Sequence, residues 1–264
     1  MKLKLLLLNF IAVFVVAFAL TTFFHEFAHA AVAKVLHVYP VLFHSYVSYD
    51  NTGVLAVHQL YIAAVGPFVS FSQAVFFLIL LRLKFRFDLL GMLFLWLAIM
   101  GMVVACGYVI IGPFVPYGDT GKIYEILPIP KIATYIFSVG ALFVLIYFFR
   151  RITPKFIGFL YQLKTEYKYS TQKTLRLFIG IPLIIGTIIN VLFSLPAPTL
   201  MSLAFPIVIS LSIIPSVVRL KNSHLQTYGN SYLENNFVNK SYWAIILMIL
   251  LILLSRILAA GITV

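Results

Sequence analysis

Long apolar runs separated by short polar segments fill most of this chain. A run of about 20 apolar residues is long enough to cross a lipid bilayer as a helix. We expect seven such helices, over residues 5–36, 61–81, 89–112, 132–149, 175–193, 199–218 and 242–260. The first run is longer than a bilayer requires, so it must tilt, break or protrude. The pattern predicts an all-α polytopic membrane protein with about seven transmembrane helices.

A different pattern fills residues 38–58, between the first two predicted helices. β-Branched and aromatic residues flank the cluster Asp50-Asn51-Thr52-Gly53. A turn-forming cluster between such residues is typical of a β-hairpin. We expect a small membrane-associated hairpin whose edge can receive an extended peptide. An ordinary exposed hairpin is the alternative.

Composition supports the membrane interpretation and limits the choice of partners. Of the 264 residues, 62% are hydrophobic and 10% are charged, which is unlike a soluble domain. The net charge of +12 does not indicate a nucleic-acid partner, because the basic residues concentrate in loops between apolar segments. Membrane topology produces that distribution. We expect the basic segment over residues 150–176 to lie on anionic lipid headgroups.

The distribution of basic residues also predicts the orientation in the membrane. With seven spans, successive loops lie on alternate sides of the membrane. The most basic segments then share one side, which is the cytosolic side by the positive-inside rule: the N-terminus and the segments near residues 82–86, 150–176 and 219–240. The first apolar run exceeds the apolar part of a signal peptide, so we expect an uncleaved helix. In this orientation the C-terminal end of the first helix faces away from the cytosol.

One turn of the first predicted helix carries three polar residues. His25 and His29 are four residues apart, so they share one face of a helix, and Glu26 lies beside the first. A His-Glu-x-x-His sequence binds zinc through both imidazoles and leaves the glutamate as a general base. The alternative is a helix end at the interface, where these residues meet water. Because ionisable residues within lipid are costly and usually functional, we expect metal-dependent hydrolysis in the bilayer.

The third zinc ligand must come from elsewhere in the chain. A catalytic zinc usually has three protein ligands and one water molecule. Asp119 lies in a segment rich in Gly and Pro, over residues 112–122, whose backbone can fold back toward the first helix. The alternative for an aspartate between glycines is a turn residue. Three histidines compete with it as ligands: His37, His44 and His58.

In their order along the chain, these motifs resemble those of the site-2 protease family of intramembrane zinc metalloproteases. Residues 25–29 resemble the zinc-binding helix of that family, and residues 116–121 resemble its Pro-rich segment ending in Asp-Gly. The segment Gly66-Pro67-Phe68-Val69-Ser70 resembles a Gly-Pro-x-x-Asn-type segment that helps to hold the substrate. Two departures are Thr120 between the aspartate and the glycine, and Ser70 in place of asparagine.

The resemblance covers residues 5–122 and implies a role for each matching residue. It implies one zinc ion per chain held by His25, His29 and Asp119, with Glu26 as the catalytic base. It implies substrate binding by Gly66, Pro67 and Ser70. It also implies an active site nearer the cytosol, which conflicts with the orientation expected from charge.

We therefore expect a zinc metalloprotease core over residues 1–131 and an accessory four-helix membrane region over residues 132–264. The expected function is a zinc endopeptidase that cleaves transmembrane or membrane-proximal segments of membrane-protein substrates. One alternative is a non-catalytic homologue that binds membrane proteins, but binding alone does not require Glu26. The other is a metal transporter, for which internal repeats are typical, and the His-Glu-x-x-His sequence does not recur.

Overall fold

The computed structural model describes residues 2–83, 88–197, 200–214 and 242–264. The helices in these ranges are α1 (Lys2–Val35), α2 (Ala56–Leu83), α3 (Leu89–Ile111), α4 (Asp119–Ile126), α5 (Lys131–Tyr167), α6 (Thr171–Leu175), α7 (Ile181–Phe193), α8 (Leu200–Ser212) and α9 (Trp243–Leu258). A π-helical turn, Arg176–Gly180, joins α6 to α7. Three two-residue strands complete the fold: β1 (Val41–Leu42), β2 (Val47–Ser48) and β3 (Ile262–Thr263).

Five helical segments in the described part of the chain are long and apolar enough to cross a membrane. They are Leu3–Val35, Ala56–Leu83, Leu89–Ile111, Lys131–Tyr167 and Thr171–Phe193. The sequence predicted seven. The remaining two predicted segments contain shorter apolar helices, α8 and α9. Part of the segment predicted over residues 199–218 lies outside the described residues.

The hydrophobic core is built around α1 and α3. The ring of Phe14 packs edge-on against Trp96, with centroids 5.0 Å apart. On another side, Trp96 contacts Phe156 of α5 at 5.3 Å. Gly186 of α7 lies directly against Phe14, where a larger residue would collide with the ring. Helices on both sides of residue 131 therefore share one core, and their functional division stays a prediction.

Helix α5 is much longer than the predicted span over residues 132–149. It has 37 residues, which corresponds to about 55 Å. Its second half carries many of the basic residues expected on lipid headgroups. The same half also has a buried apolar face, which is formed by Ile152, Phe156, Phe159 and Leu163. The helix continues because these apolar residues recur at helical spacing and pack into the core. Contact with headgroups stays a prediction.

The sheet contains the predicted hairpin, but its turn is at a different place. Strands β1 and β2 are antiparallel, with Leu42 opposite Val47, and the turn is closed by a hydrogen bond from the amide of Phe43 to the carbonyl of Tyr46. The predicted turn, residues 50–53, instead leads into α2. There the carboxylate of Asp50 accepts a hydrogen bond from the amide of Thr52 at 2.8 Å. Turns closed by such local side-chain hydrogen bonds use the same residue types as hairpin turns, so the composition did not distinguish the two.

The third strand comes from the other end of the chain. β3 pairs antiparallel with β1, with Leu42 opposite Ile262. The sheet order is therefore β2-β1-β3, with β2 at an edge. Gly261 precedes β3 with a φ of +79° and lies against Phe43 and Val41.

Candidate metal centre

Three side chains that could hold a metal ion converge near the C-terminal end of α1. His25 and His29 lie one turn apart on the buried face of α1, and Asp119 is the first residue of α4. The Oδ2 atom of Asp119 lies 2.9 Å from Nε2 of His25 and 3.2 Å from Nε2 of His29. The structure thus brings together the three residues predicted as ligands.

All three ligand atoms lie within 4.8 Å of one another, and two of their three separations match those around a small tetrahedral cation. An ion about 2.0–2.1 Å from each ligand in tetrahedral geometry would separate the ligand atoms by about 3.3 Å. The two observed separations, 2.9 and 3.2 Å, are close to that value. Two imidazole nitrogens and one carboxylate oxygen are donors that zinc accepts. The group can therefore hold a metal ion, and its donor set is suitable for zinc.

Hydrogen bonds on the far side of each imidazole orient the two histidines. Nδ1 of His29 donates to the backbone carbonyl of Ile62 at 2.5 Å. Nδ1 of His25 lies 2.9 Å from the hydroxyl oxygen of Ser70, which can accept its proton. In the structure as it stands, Nε2 of each ring can donate to the carboxylate of Asp119. With protons kept on both Nδ1 atoms, loss of the Nε2 protons would direct both Nε2 lone pairs at a bound ion. This arrangement is characteristic of metal-binding histidines.

Asp119 is held as an anion. Burial opposes ionisation, but the neighbouring His29 and His25 outweigh it and keep the pKa of this carboxyl well below its usual value. Its position in the first turn of α4 also favours a negative charge, because the N-terminal end of a helix carries a partial positive charge. An ionised carboxylate is the form that ligates a metal.

The loop before α4 folds back tightly, as the Gly/Pro composition predicted. Gly121 packs against the backbone of Val115 and Pro116, and a Cβ at this position would lie only 2.8 Å from Cα of Pro116. Lys122 then ties α4 to the hairpin, since its Nζ donates to the hydroxyl of Tyr49 at 3.0 Å. These contacts position Asp119 over α1.

The segment predicted to bind substrate lies against the histidines. A Cβ on Gly66 would collide with His29 and would lie 2.7 Å from Nε2 of His25. Ser70 is 1% exposed and contacts His25. Pro67 is half-buried within α2, and without an amide hydrogen it cannot donate the helical hydrogen bond to Ala63. The structure places Gly66 and Ser70 beside the histidines, and their contact with substrate stays a prediction.

Glu26 lies at the junction of two cavities. One is a polar cleft of about 460 Å³ lined by Glu26, His29, Asp119 and the hairpin residues 45–49. The other is a pocket of about 100 Å³ with largely apolar walls, lined by both Glu26 and His25. Glu26 is 8% exposed and borders both spaces, so its carboxylate can reach a group held between them.

Tyr108 of α3 is a site residue that the sequence did not indicate. Its ring stacks on His25 with centroids 5.0 Å apart and an angle of 10° between the planes. It lines both cavities together with Glu26. A single tyrosine in an apolar helix belongs to no motif, so only the packing of α3 against α1 reveals it.

The competing histidines are not part of this cluster in the described residues. His44 is buried in the hairpin turn beside Ser45. His37 and His58 line a separate surface pocket between the end of α1 and the start of α2. The alternative ligand sets are therefore not supported by the geometry.

Comparison of the chain with family models, with curated proteins and with solved structures gives no match. The interpretation of the centre therefore depends on its own geometry and on the sequence motifs.

Proposed function

We propose that this chain is an intramembrane zinc endopeptidase, similar to the site-2 proteases, that hydrolyses peptide bonds in or near transmembrane segments of other membrane proteins. The observation that carries the proposal is the convergence of His25, His29 and Asp119 beside the buried carboxylate of Glu26. This centre lies on a helix of 34 residues that is apolar enough to cross a membrane.

The chemistry divides between the ion and the protein. A bound zinc ion would supply Lewis acidity, which lowers the pKa of a water molecule and polarises a carbonyl group. The water oxygen attacks the peptide carbonyl carbon, and Glu26 accepts the proton that the water loses. Glu26 then gives this proton to the amide nitrogen as the carbon–nitrogen bond breaks. Ser70 and Ile62 keep the histidine rings aligned throughout.

A substrate helix must unwind before it can be cleaved, since each helical carbonyl is already hydrogen-bonded and shielded. The hairpin offers a way to hold the unwound segment. Strand β2 is at the edge of the sheet, and its residues Val47 and Ser48 line the cleft beside His29 and Asp119. An extended peptide can add to such an edge through backbone hydrogen bonds. Substrates are therefore expected to carry helix-weakening residues near the cleaved bond.

The orientation is part of the same proposal. The N-terminus of α1 and the basic segments near residues 82–86 and 150–176 are assigned to the cytosolic side by the positive-inside rule. The centre is near the opposite end of α1, so the polar cleft opens away from the cytosol. Access of a membrane-impermeant thiol reagent to a cysteine introduced at exposed Tyr117, from one side of sealed vesicles, tests this directly.

The first test is the zinc content of detergent-purified protein. Wild type is expected to carry about one zinc per chain, and His25→Ala and Asp119→Ala are expected to lose it. Wild type without zinc would refute the metal centre. Loss in His25→Ala alone would remove Asp119 from the ligand set.

The second test separates catalysis from binding. Glu26→Gln should retain zinc and lose hydrolysis of a panel of quenched-fluorescence transmembrane peptides by about 100-fold or more. Glu125→Gln is the matched control, because Glu125 is exposed on α4. Full activity in Glu26→Gln would refute the proposed role of Glu26 as the general base. A zinc-loaded wild type that binds the peptides without cutting them would identify a non-catalytic binding protein, and zinc flux into vesicles would identify a transporter.

A further inference from the structure

The smaller cavity beside Glu26 has a chemistry different from that of the polar cleft. Its apolar walls come from three helices: Phe18 of α1, Val104 and Ile111 of α3, and Phe205 of α8. Among the described residues, no Lys, Arg or Asp lines it. Glu26 is the one carboxylate among these described lining residues. An anionic side chain would therefore meet no Lys or Arg there and would face the Glu26 carboxylate, whereas an aliphatic one would be transferred out of water favourably.

This pocket is continuous with the proposed catalytic centre. His25 lines the apolar pocket, His29 and Asp119 line the polar cleft, and Glu26 and Tyr108 line both. A peptide carbonyl held at the ligand atoms would therefore lie between the two spaces. Its backbone would follow the hairpin in the polar cleft, and a neighbouring side chain would be directed at the pocket.

We propose that the apolar pocket is the subsite for an aliphatic side chain next to the cleaved bond, and that Val104 and Phe205 determine its size. This inference rests on the proposed function. An apolar protein cavity of about 150 Å³ accommodates benzene, so a pocket of about 100 Å³ accommodates a branched aliphatic side chain but not an indole ring. The substrate preference is therefore for residues of the size of Leu or Val over Trp or Asp.

Alkyl hydroxamates test the pocket without a known substrate. A hydroxamate chelates zinc through its two oxygens, and its alkyl group takes the position of a side chain. Binding of acetohydroxamate, 4-methylpentanohydroxamate and an indole-bearing hydroxamate to zinc-loaded protein is measured by calorimetry. Since each buried methylene contributes about fourfold to affinity, the 4-methylpentano compound should bind at least about 20-fold more tightly than acetohydroxamate. The indole compound should gain little.

Two variants with the same substitution locate the effect. Val104→Phe fills the pocket and should reduce the preference for the larger alkyl chain to less than about threefold, while leaving acetohydroxamate affinity unchanged. Val139→Phe is the matched control, because Val139 is exposed on α5 and is not among the residues that line either cavity, and it should keep the full preference. The detergent takes up the same amount of apolar ligand in measurements on either variant, so this uptake does not affect the comparison between the two variants.

Val104 is 4% exposed, so its enlargement risks misfolding, and Phe205→Ala provides an independent variant. Phe205 is half-buried, and its truncation enlarges the pocket. The indole hydroxamate should then bind at least about fivefold more tightly than it binds wild type.

The outcomes distinguish the subsite from the centre on which it depends. If no hydroxamate binds the zinc-treated protein, the metal centre and the proposed function fail. If acetohydroxamate binds but the longer alkyl chain adds nothing, the subsite is wrong and the metal centre stands. An equal preference in wild type and Val104→Phe would also overturn the subsite, as would an unchanged indole affinity in Phe205→Ala.

Discussion

Replacing Gly66 with alanine should abolish metal binding without unfolding the protein. Gly66 faces the two histidines from α2. A Cβ there would lie 2.7 Å from Nε2 of His25 and closer still to Nε2 of His29. The added methyl group would therefore occupy space between the ligand atoms, where an ion would be held.

The size of the effect follows from contact distances. Heavy atoms pack favourably at about 3.5 Å or more, so the imidazole of His25 must withdraw by about 0.8 Å and that of His29 by more. Metal–ligand distances tolerate only about 0.2 Å. We expect zinc content to fall from about one per chain to less than about 0.1.

Overall stability should change much less than metal binding does. Overpacking costs about 1–3 kcal/mol, and alanine is favoured over glycine within a helix by about 1 kcal/mol. The net loss is about 0–2 kcal/mol, which a folded membrane protein tolerates. Loss of zinc in Gly66→Ala therefore reports the geometry of the centre rather than unfolding.

Zinc per chain is measured by elemental analysis, and folding by size-exclusion chromatography and thermal denaturation. Gly107→Ala and Gly140→Ala serve as controls, since a Cβ at either position would meet nothing within 4 Å. Both should retain zinc and become slightly more stable. A Gly66→Ala protein that retains one zinc with wild-type affinity would refute this reasoning.

Three further predictions concern the surroundings of the centre. Ser70→Ala should raise the dissociation constant for zinc by about 10–100-fold in chelator competition, because it removes a hydrogen bond that orients a ligand. Ser72→Ala, at an exposed position of the same helix, should not. Lys122→Met, which removes the hydrogen bond to Tyr49, should slow peptide hydrolysis several-fold at unchanged zinc content, and an unchanged rate would contradict the link between α4 and the hairpin. Burial lowers the pKa of His44 below 6.5, so the unfolded chain binds the proton more readily and stability falls as the pH drops through that region. Thermal denaturation of His44→Gln should show less pH dependence than wild type, and an equal dependence would refute the assignment.

The features that the sequence predicted best are those encoded by local spacing. The four-residue interval between His25 and His29 requires only one helix to place both side chains on the same face. The fold-back of Asp119 was predicted from two observations together: the His-Glu-x-x-His sequence requires a third ligand, and a segment rich in Gly and Pro reverses direction readily. The function assigned to these residues stays a prediction.

The features that the sequence did not predict depend on contacts between distant segments. β3 has only two residues, and nothing in its sequence indicates that it pairs with β1. Tyr108 belongs to the site because α3 packs against α1. The extension of α5 was missed because basic residues obscured an apolar face that the core buries. Five of the seven predicted spans coincide with helices that are long and apolar enough to cross a membrane in the described residues, whereas an apolar segment such as α9, with 16 residues, resembles a transmembrane helix before its ends are known.

The pairing of β3 with β1 has a consequence for biosynthesis. The paired residues Leu42 and Ile262 are more than 200 residues apart, whereas the three proposed metal ligands all lie in the first half of the chain. A ribosome-bound nascent chain therefore contains all three proposed ligands long before its hairpin can acquire the third strand. The sheet beside the cleft is completed only after synthesis has passed residue 263, so the order of translation separates assembly of the centre from completion of the surface that would receive a peptide.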